Sequence, residues 1–346
     1  MSPSTRNSTL TLAARYDWYW RFNDRCTFAR RRPRSLMGME NVRVNINGRR
    51  RKLACVVTPT LVAAAMTTIL AVPASASTPT PLSLLPTGPG VTVVEVFSGF
   101  GGGPRHAIAT CTTGTLVGTG FARSGGGSGV VIDAVVPIGN QVTVTAVETA
   151  AGTPNQWGVT ARAFCATGIS NVQVKHDESL IDGVNPKTVE VECPFGTRVI
   201  GTAFQALGAQ GEVIVTKMDP VAGVAPADDK AVVKAYADDN GIAGTWGVGA
   251  WAFCAAAPAG LEIVARTLTP PPNTSSYTVS AGCTGSKVVV GAGTYLSSVA
   301  TGNVLLYGLS ANHYTVGEEA QASAIEDANG TPAAWSLTTK VICANP

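Results

Sequence analysis

The sequence predicts an all-β protein of three tandem six-stranded antiparallel repeats, and three observations carry that reading. Trp157 to Ala166 (WGVTARAFCA), Trp246 to Ala255 (WGVGAWAFCA) and Trp335 to Ala344 (WSLTTKVICA) end alike, their tryptophans and their cysteines each 89 residues apart. Short runs rich in Val, Ile and Thr lie between Gly, Pro and Asn clusters, and no stretch keeps a helical period. Six of the eight cysteines fall two to a repeat, an even number that reads as disulfides in an exported chain.

The N-terminal part is set apart by charge. Residues 1–76 hold 13 Lys/Arg against 3 Asp/Glu and residues 77–346 hold 12 against 19, so the part that folds carries about −7. That balance excludes the basic face a nucleic-acid binder needs to neutralise phosphates. Arg49-Arg50-Arg51-Lys52, the apolar run Leu53 to Val72 and Pro73-Ala74-Ser75-Ala76 form the three parts of an export signal spanning 37–76, cleaved before Ser77. The alternative is an uncleaved anchor, since about 20 apolar residues span a bilayer. Membrane contact is expected through this segment alone, and the mature protein is expected outside the cell. Residues 1–36 read as a mis-annotated or disordered extension ahead of a start at Met37 or Met39, and residues 77–90 as a Pro/Thr-rich linker.

Repeat 1 covers 91–166, repeat 2 covers 167–255 and repeat 3 covers 256–346. In repeat 1 strands are expected near 91–97, 106–111, 115–122, 130–136, 142–147 and 157–165, with counterparts downstream. Gly152, Gly241 and Gly330 lie five residues before each Trp in Gly/Asn/Asp-rich turns that feed the last strand. Six cysteines alone permit 15 connectivities. The repeat selects Cys111–Cys165, Cys193–Cys254 and Cys283–Cys343, whose closed loops each contribute about 4 kcal/mol. Alternation places Trp157, Val159, Ala161, Ala163 and Cys165 on one buried face. Position 162, occupied by Arg162, Trp251 and Lys340 in the three copies, then looks outward. Gly118 and Gly120 are expected to make room for Trp157 lying over their strand. Connections between repeats are short, so the repeats touch, either as one pseudo-threefold β-prism-like domain or as packed β-sandwiches.

The Cys-x-x-Gly opening, the Gly-x-Gly strand and the Trp-x7-Cys-Ala ending resemble repeats of secreted actinobacterial proteins with no assigned activity. The resemblance covers Val91 to Ala344, with a departure at Thr284-Gly285-Ser286, where repeat 2 has Pro194-Phe195-Gly196. In arrangement the chain is more distantly similar to the β-prism of vitelline membrane outer layer protein I, which implies a carbohydrate-related surface role.

Chemistry is sparse. His106, His176 and His313 occupy non-equivalent places, and no nucleotide, zinc or serine-hydrolase fingerprint occurs, so no cofactor, metal or catalytic residue is assigned. Asp228 and Asp229 precede one strand of repeat 2 while Asp238 and Asp239 follow it, about 25 Å apart. They are candidate ligand-binding residues only if loops gather them, for Ca2+ or as paired acids. Trp251 is the sharper ligand-binding candidate, as an outward indole that suits a sugar ring, the other reading being burial between repeats. The expected function is a non-catalytic extracellular binding or cell-surface structural module with polysaccharide or cell-wall polymer as first partner. A carboxylate-dependent hydrolase, and an enzyme inhibitor presenting Pro270-Pro271-Pro272, are the alternatives.

Overall fold

The structure, a computed structural model, describes residues 82–86 and 90–346 apart from 224–227, 239, 272–273, 298–301, 314–317 and 332–333. The export signal, its cleavage site, the 1–36 extension, Asp239 and Pro272 lie outside the described residues. A strand β1 (Leu82–Pro86) precedes the repeats, inside the 77–90 stretch. Repeat 1 supplies β2 (Val91–Phe97), β3 (Arg105–Thr110), β4 (Thr115–Gly125), β5 (Val130–Ile138), β6 (Gln141–Glu148) and β7 (Trp157–Ala166). Repeat 2 supplies β8 (Gln173–Glu178), β9 (Lys187–Glu192), β10 (Thr197–Leu207), β11 (Val213–Val221), β12 (Lys230–Ala237) and β13 (Gly247–Ala256). Repeat 3 supplies β14 (Glu262–Leu268), β15 (Ser276–Gly282), β16 (Val288–Ser297), β17 (Val304–His313), β18 (Glu318–Glu326) and β19 (Ser336–Ala344). The strands fall where the alternating runs put them, and a 3-10 turn at Gly127–Gly129 is the only helical element among the described residues.

Each repeat divides its six strands between two sheets, and each sheet joins half of one repeat to half of the next. The 1/2 wall runs β3-β6-β5-β10-β13-β8, and the 2/3 wall runs β9-β12-β11-β16-β19-β14. The 3/1 wall runs β15-β18-β17-β4-β7-β2 with β1 added beyond β2. All pairings are antiparallel, and the repeats meet over two residue pairs per wall: Phe204↔Val135 and Gln205↔Ala134, Lys217↔Tyr295 and Met218↔Thr294, Gly308↔Ala122 and Leu309↔Phe121. The three walls close on each other, so the repeats form one pseudo-threefold domain. Within a repeat the two half-walls face each other as a small sandwich, and Cys111–Cys165, Cys193–Cys254 and Cys283–Cys343 are bonded across it as the repeat spacing requires.

The core follows the alternation. Trp157, Val159, Ala161, Ala163 and Cys165 are buried, as are Trp246, Val248, Ala250, Ala252 and Cys254. A buried indole N–H requires a partner. Trp157 Nε1 donates to Glu148 Oε1 at 3.0 Å and Trp335 Nε1 to Glu326 Oε1 at 2.9 Å. Ala237 takes that place in repeat 2, where the Lys187 ammonium, paired with Asp182, stands 5.4 Å from the Trp246 ring centre. The Trp157 N–H and the Gly103 N–H hold the Glu148 carboxyl below the usual range.

One expectation is corrected. Gly118 stands opposite Phe164 in the β4·β7 ladder, whereas Trp157 stands opposite Gly125, about 24 Å along the strand. The glycines make room for one another. Strands β4, β10 and β16 each carry a bulge just before Gly118, Gly201 and Gly291 and cross there. A Cβ on Gly201 would lie 2.6 Å from the Val117 carbonyl oxygen, one on Gly291 1.9 Å from that of Ile200, and one on Gly118 3.4 Å from Gly291 Cα. Backbone thus packs on backbone around the axis, and the sequence showed the small residues without showing that three copies meet. Farther along the axis Val131, Ile214 and Leu305, one from each repeat, form a separate buried cluster with Val147.

Candidate functional site

With the interior given to folding, chemistry must be sought on the outer faces of the walls. Cross-strand pairing defines one equivalent row of six side chains on each. In the 3/1 wall it reads Phe97, Thr160, Ala122, Gly308, Ser323, Thr278. In the 2/3 wall it reads Thr267, Thr338, Tyr295, Lys217, Lys234, Thr188. In the 1/2 wall it reads Glu178, Gly249, Gln205, Ala134, Thr145, His106. Apart from Phe97 the first row is small and hydroxylic, the second combines cationic, aromatic and Thr side chains, and the third carries an acid, an amide and an imidazole.

The adjacent outward position separates the walls further. Arg162 is ion-paired with Glu95 and donates from Nη1 to the Phe121 carbonyl at 3.1 Å. Lys340 Nζ lies 2.7 Å from Asp219 Oδ1 and donates to the Pro220 carbonyl at 3.0 Å. Trp251 has no charge to pair. It is half-buried on the outer face, directly opposite His176, whose imidazole stacks on it with ring centres 4.2 Å apart at 29°. His176 Nε2 is in turn 3.4 Å from Glu178 Oε1.

The floor beside this pair is glycine. Gly247 and Gly249 occupy outward positions where repeat 1 has Gly158 and Thr160 and repeat 3 has Ser336 and Thr338. A Cβ at Gly249 would sit 3.2 Å from His176 Nε2 and 3.4 Å from the six-membered edge of Trp251, so the indole lies along the strand over that glycine. At Gly247 a Cβ would meet Ile181 at 3.2 Å. Gly247 is thus buried beneath the 179–181 connection and Gly249 beneath the Trp251 and His176 rings.

Exposed apolar side chains lie on this wall and in the connections that border it. Among the described residues, the large apolar side chains left exposed are Ile108, Ile138 and Val174 on the 1/2 wall, Phe100 and Phe195 in connections entering it, and Leu180, Ile181 and Val184 in the connection leaving it. Ile108 and Val174 stand on the two opposite edge strands of this wall and Ile138 at the β5–β6 turn, while the other five lie in connections shared with a neighbouring wall, and single exposed apolar residues of this kind are ordinary.

The acidic candidates are not brought together. Asp228 is exposed at the start of β12 and Asp238 follows its end, the Asp238 N–H donating to the Glu212 carbonyl at 2.7 Å. Asp229 is buried and fully used: Oδ2 accepts from Arg198 Nε at 2.8 Å and the Val199 N–H at 3.0 Å, and Oδ1 from the Gly223 N–H at 2.9 Å. It clasps two loops together. No group of three or more His, Cys, Asp or Glu side chains suited to a metal ion occurs among the described residues. One carboxyl, Asp133 in the β5 bulge, is pushed up to about 6 by burial, and it stands alone in repeat 1. The sequence signalled Trp251 by strand alternation. It did not signal Glu178, Gln205, Thr145 and His106 as one row, because that row crosses from repeat 2 to repeat 1, nor His176, which meets Trp251 only through the β8–β13 register. No protein-family model matches the chain, and no curated protein matches it in sequence.

Proposed function

We propose that this is an exported, non-catalytic binding or cell-surface module whose working face is the outer face of the 1/2 wall, with polysaccharide or cell-wall polymer as ligand. The observation that carries the reading is the stacked Trp251–His176 pair beside a glycine floor. An indole braced by a neighbouring ring is preorganised, so little side-chain freedom is lost when a sugar ring packs against it. Three disulfides fit an oxidising compartment, and no helix among the described residues is long and apolar enough to cross a membrane. The fold alone leaves function open, so the weight rests on the face.

The test is co-sedimentation of the full chain with insoluble cell-wall polymers and neutral polysaccharides, wild type beside Trp251→Ala. Binding that falls about tenfold or more in the variant is the expected result. Retention of none of these polymers, or retention that ignores Trp251, removes the reading.

A further inference from the structure

The wall that carries Trp251 is built from two repeats, and that sets the shape of what it binds. Glu178, Gly249 and Gln205 come from repeat 2, while Ala134, Thr145 and His106 come from repeat 1, joined through the Gln205↔Ala134 pair. Strands are about 4.8 Å apart, so the row extends about 24 Å across the wall. Polar side chains stand at its places one, three, five and six, with Gly249 and Ala134 as low points between them.

What distinguishes this row is that its polar groups are not spent on one another. In the 3/1 wall Thr278 and Ser323 bond each other at 2.9 Å, and in the 2/3 wall Thr267 and Thr338 do so at 2.7 Å. Lys217 and Lys234 lie over the rings of Tyr295 and Tyr236. Among the described residues, the side chains of Gln205, Thr145 and His106 have no partner within the protein. A carboxylate, an amide, a hydroxyl and an imidazole along one row offer both donors and acceptors, the set that vicinal hydroxyls require. The Trp251 platform lies one outward position along β13, beside the Glu178 end of the row.

Resting on the proposed function, we infer that the ligand is an extended neutral chain of flat-faced, equatorially hydroxylated hexopyranose units, laid across the strands from Trp251 of repeat 2 to His106 of repeat 1. One unit packs on the indole, and the following units lie along the row with their hydroxyls on Gln205, Thr145 and His106. An acidic polymer is disfavoured by Glu178 beside the platform and by the net negative charge of residues 77–346. A branched or compact ligand would leave the repeat 1 half unused.

The experiment is calorimetric titration of the full chain with β-linked glucose and N-acetylglucosamine oligomers, from disaccharide to octasaccharide. Affinity is expected to climb with length and level off once the chain spans the wall. His106→Ala and Thr145→Val are expected to lower affinity for the longest oligomers about fivefold each and to leave the disaccharide unchanged. Thr278→Ala, at the place of His106 in the 3/1 wall, is expected to change neither. Near-UV circular dichroism of each variant separates loss of contact from loss of fold. Trp251-dependent binding without dependence on length or on His106 overturns this inference and leaves the proposed function standing. Binding that survives Trp251→Ala overturns both, and no binding of any oligomer overturns this inference.

Discussion

The axis and the outer rows of the walls are built from the same three copies and obey opposite rules. At the axis the copies agree: a bulge, then Gly118, Gly201 or Gly291, each pressed against the backbone of another repeat. On the outer rows no position holds the same residue in all three walls. The difference separates constraint from freedom. Where backbone meets backbone a single methyl group has nowhere to go, whereas a wall needs only alternation and strand propensity to stand, and its outward side chains are left for other uses.

The comparison can be strained first at the shared framework. Replacing Cys193 and Cys254 together by Ala should cost about 4 kcal/mol. Because each wall is shared, the loss should appear as one lowered cooperative transition in denaturant rather than as the early melting of repeat 2. Gly291→Ala should cost about 3 kcal/mol, since its methyl would stand 1.9 Å from the Ile200 carbonyl oxygen and only backbone can yield. A midpoint close to that of the wild type would show that the axis is more pliant than its contacts imply.

Asp133 is the exception that sharpens the contrast, because the equivalent bulges of β11 and β17 hold Thr216 and Tyr307. Burial raises its carboxyl from 3.8 to about 6, opposed by the Gly211 N–H. A carboxyl with a raised folded pKa is bound to its proton more tightly in the folded state, so stability falls as pH rises from about 4 to about 6 and stays reduced above. Asp133→Asn should therefore stabilise the protein by up to about 3 kcal/mol at pH 8 and by nothing at pH 4. Thermal melts at the two pH values decide it, and an equal gain at both would show that charge is not the cause.

The smallest structural effect belongs to the wall. Gly249→Ala places a methyl 3.2 Å from His176 Nε2 and 3.4 Å from the indole, both of which are free to shift outward. Stability should change by less than about 1 kcal/mol, while the stacked pair is displaced and polymer retention drops. A fall in stability as large as that of Gly291→Ala would erase the distinction between axis and wall.

Much of this was legible in the residues. The spacing of Trp157, Trp246 and Trp335 showed the triplication, and alternation along the last strand showed both the buried cysteine face and the outward Trp251. The disulfide pairing followed because each repeat must close on itself. The exchange of half-walls was not legible, because the sequence of β5 is as suited to pair with β4 of its own repeat as with β10 of the next. Geometry around the bulges makes that choice. The Gly-x-Gly strand was misread for the same reason: its partners belong to other repeats. The candidate row inherits that blindness, since His106 and Glu178 come to share one face only after the exchange.

The first and last strands of every repeat run side by side, with Val91 opposite Ala166, Gln173 opposite Cys254 and Glu262 opposite Cys343. A repeat therefore leaves where it entered, like a bead whose thread passes through one hole. Chain order is then a matter of threading rather than of architecture: circular permutants opened at Thr167-Gly168 or Ala257-Pro258 retain every wall. A single repeat taken alone exposes two unfinished half-walls, so each repeat depends on both of its neighbours for its edges.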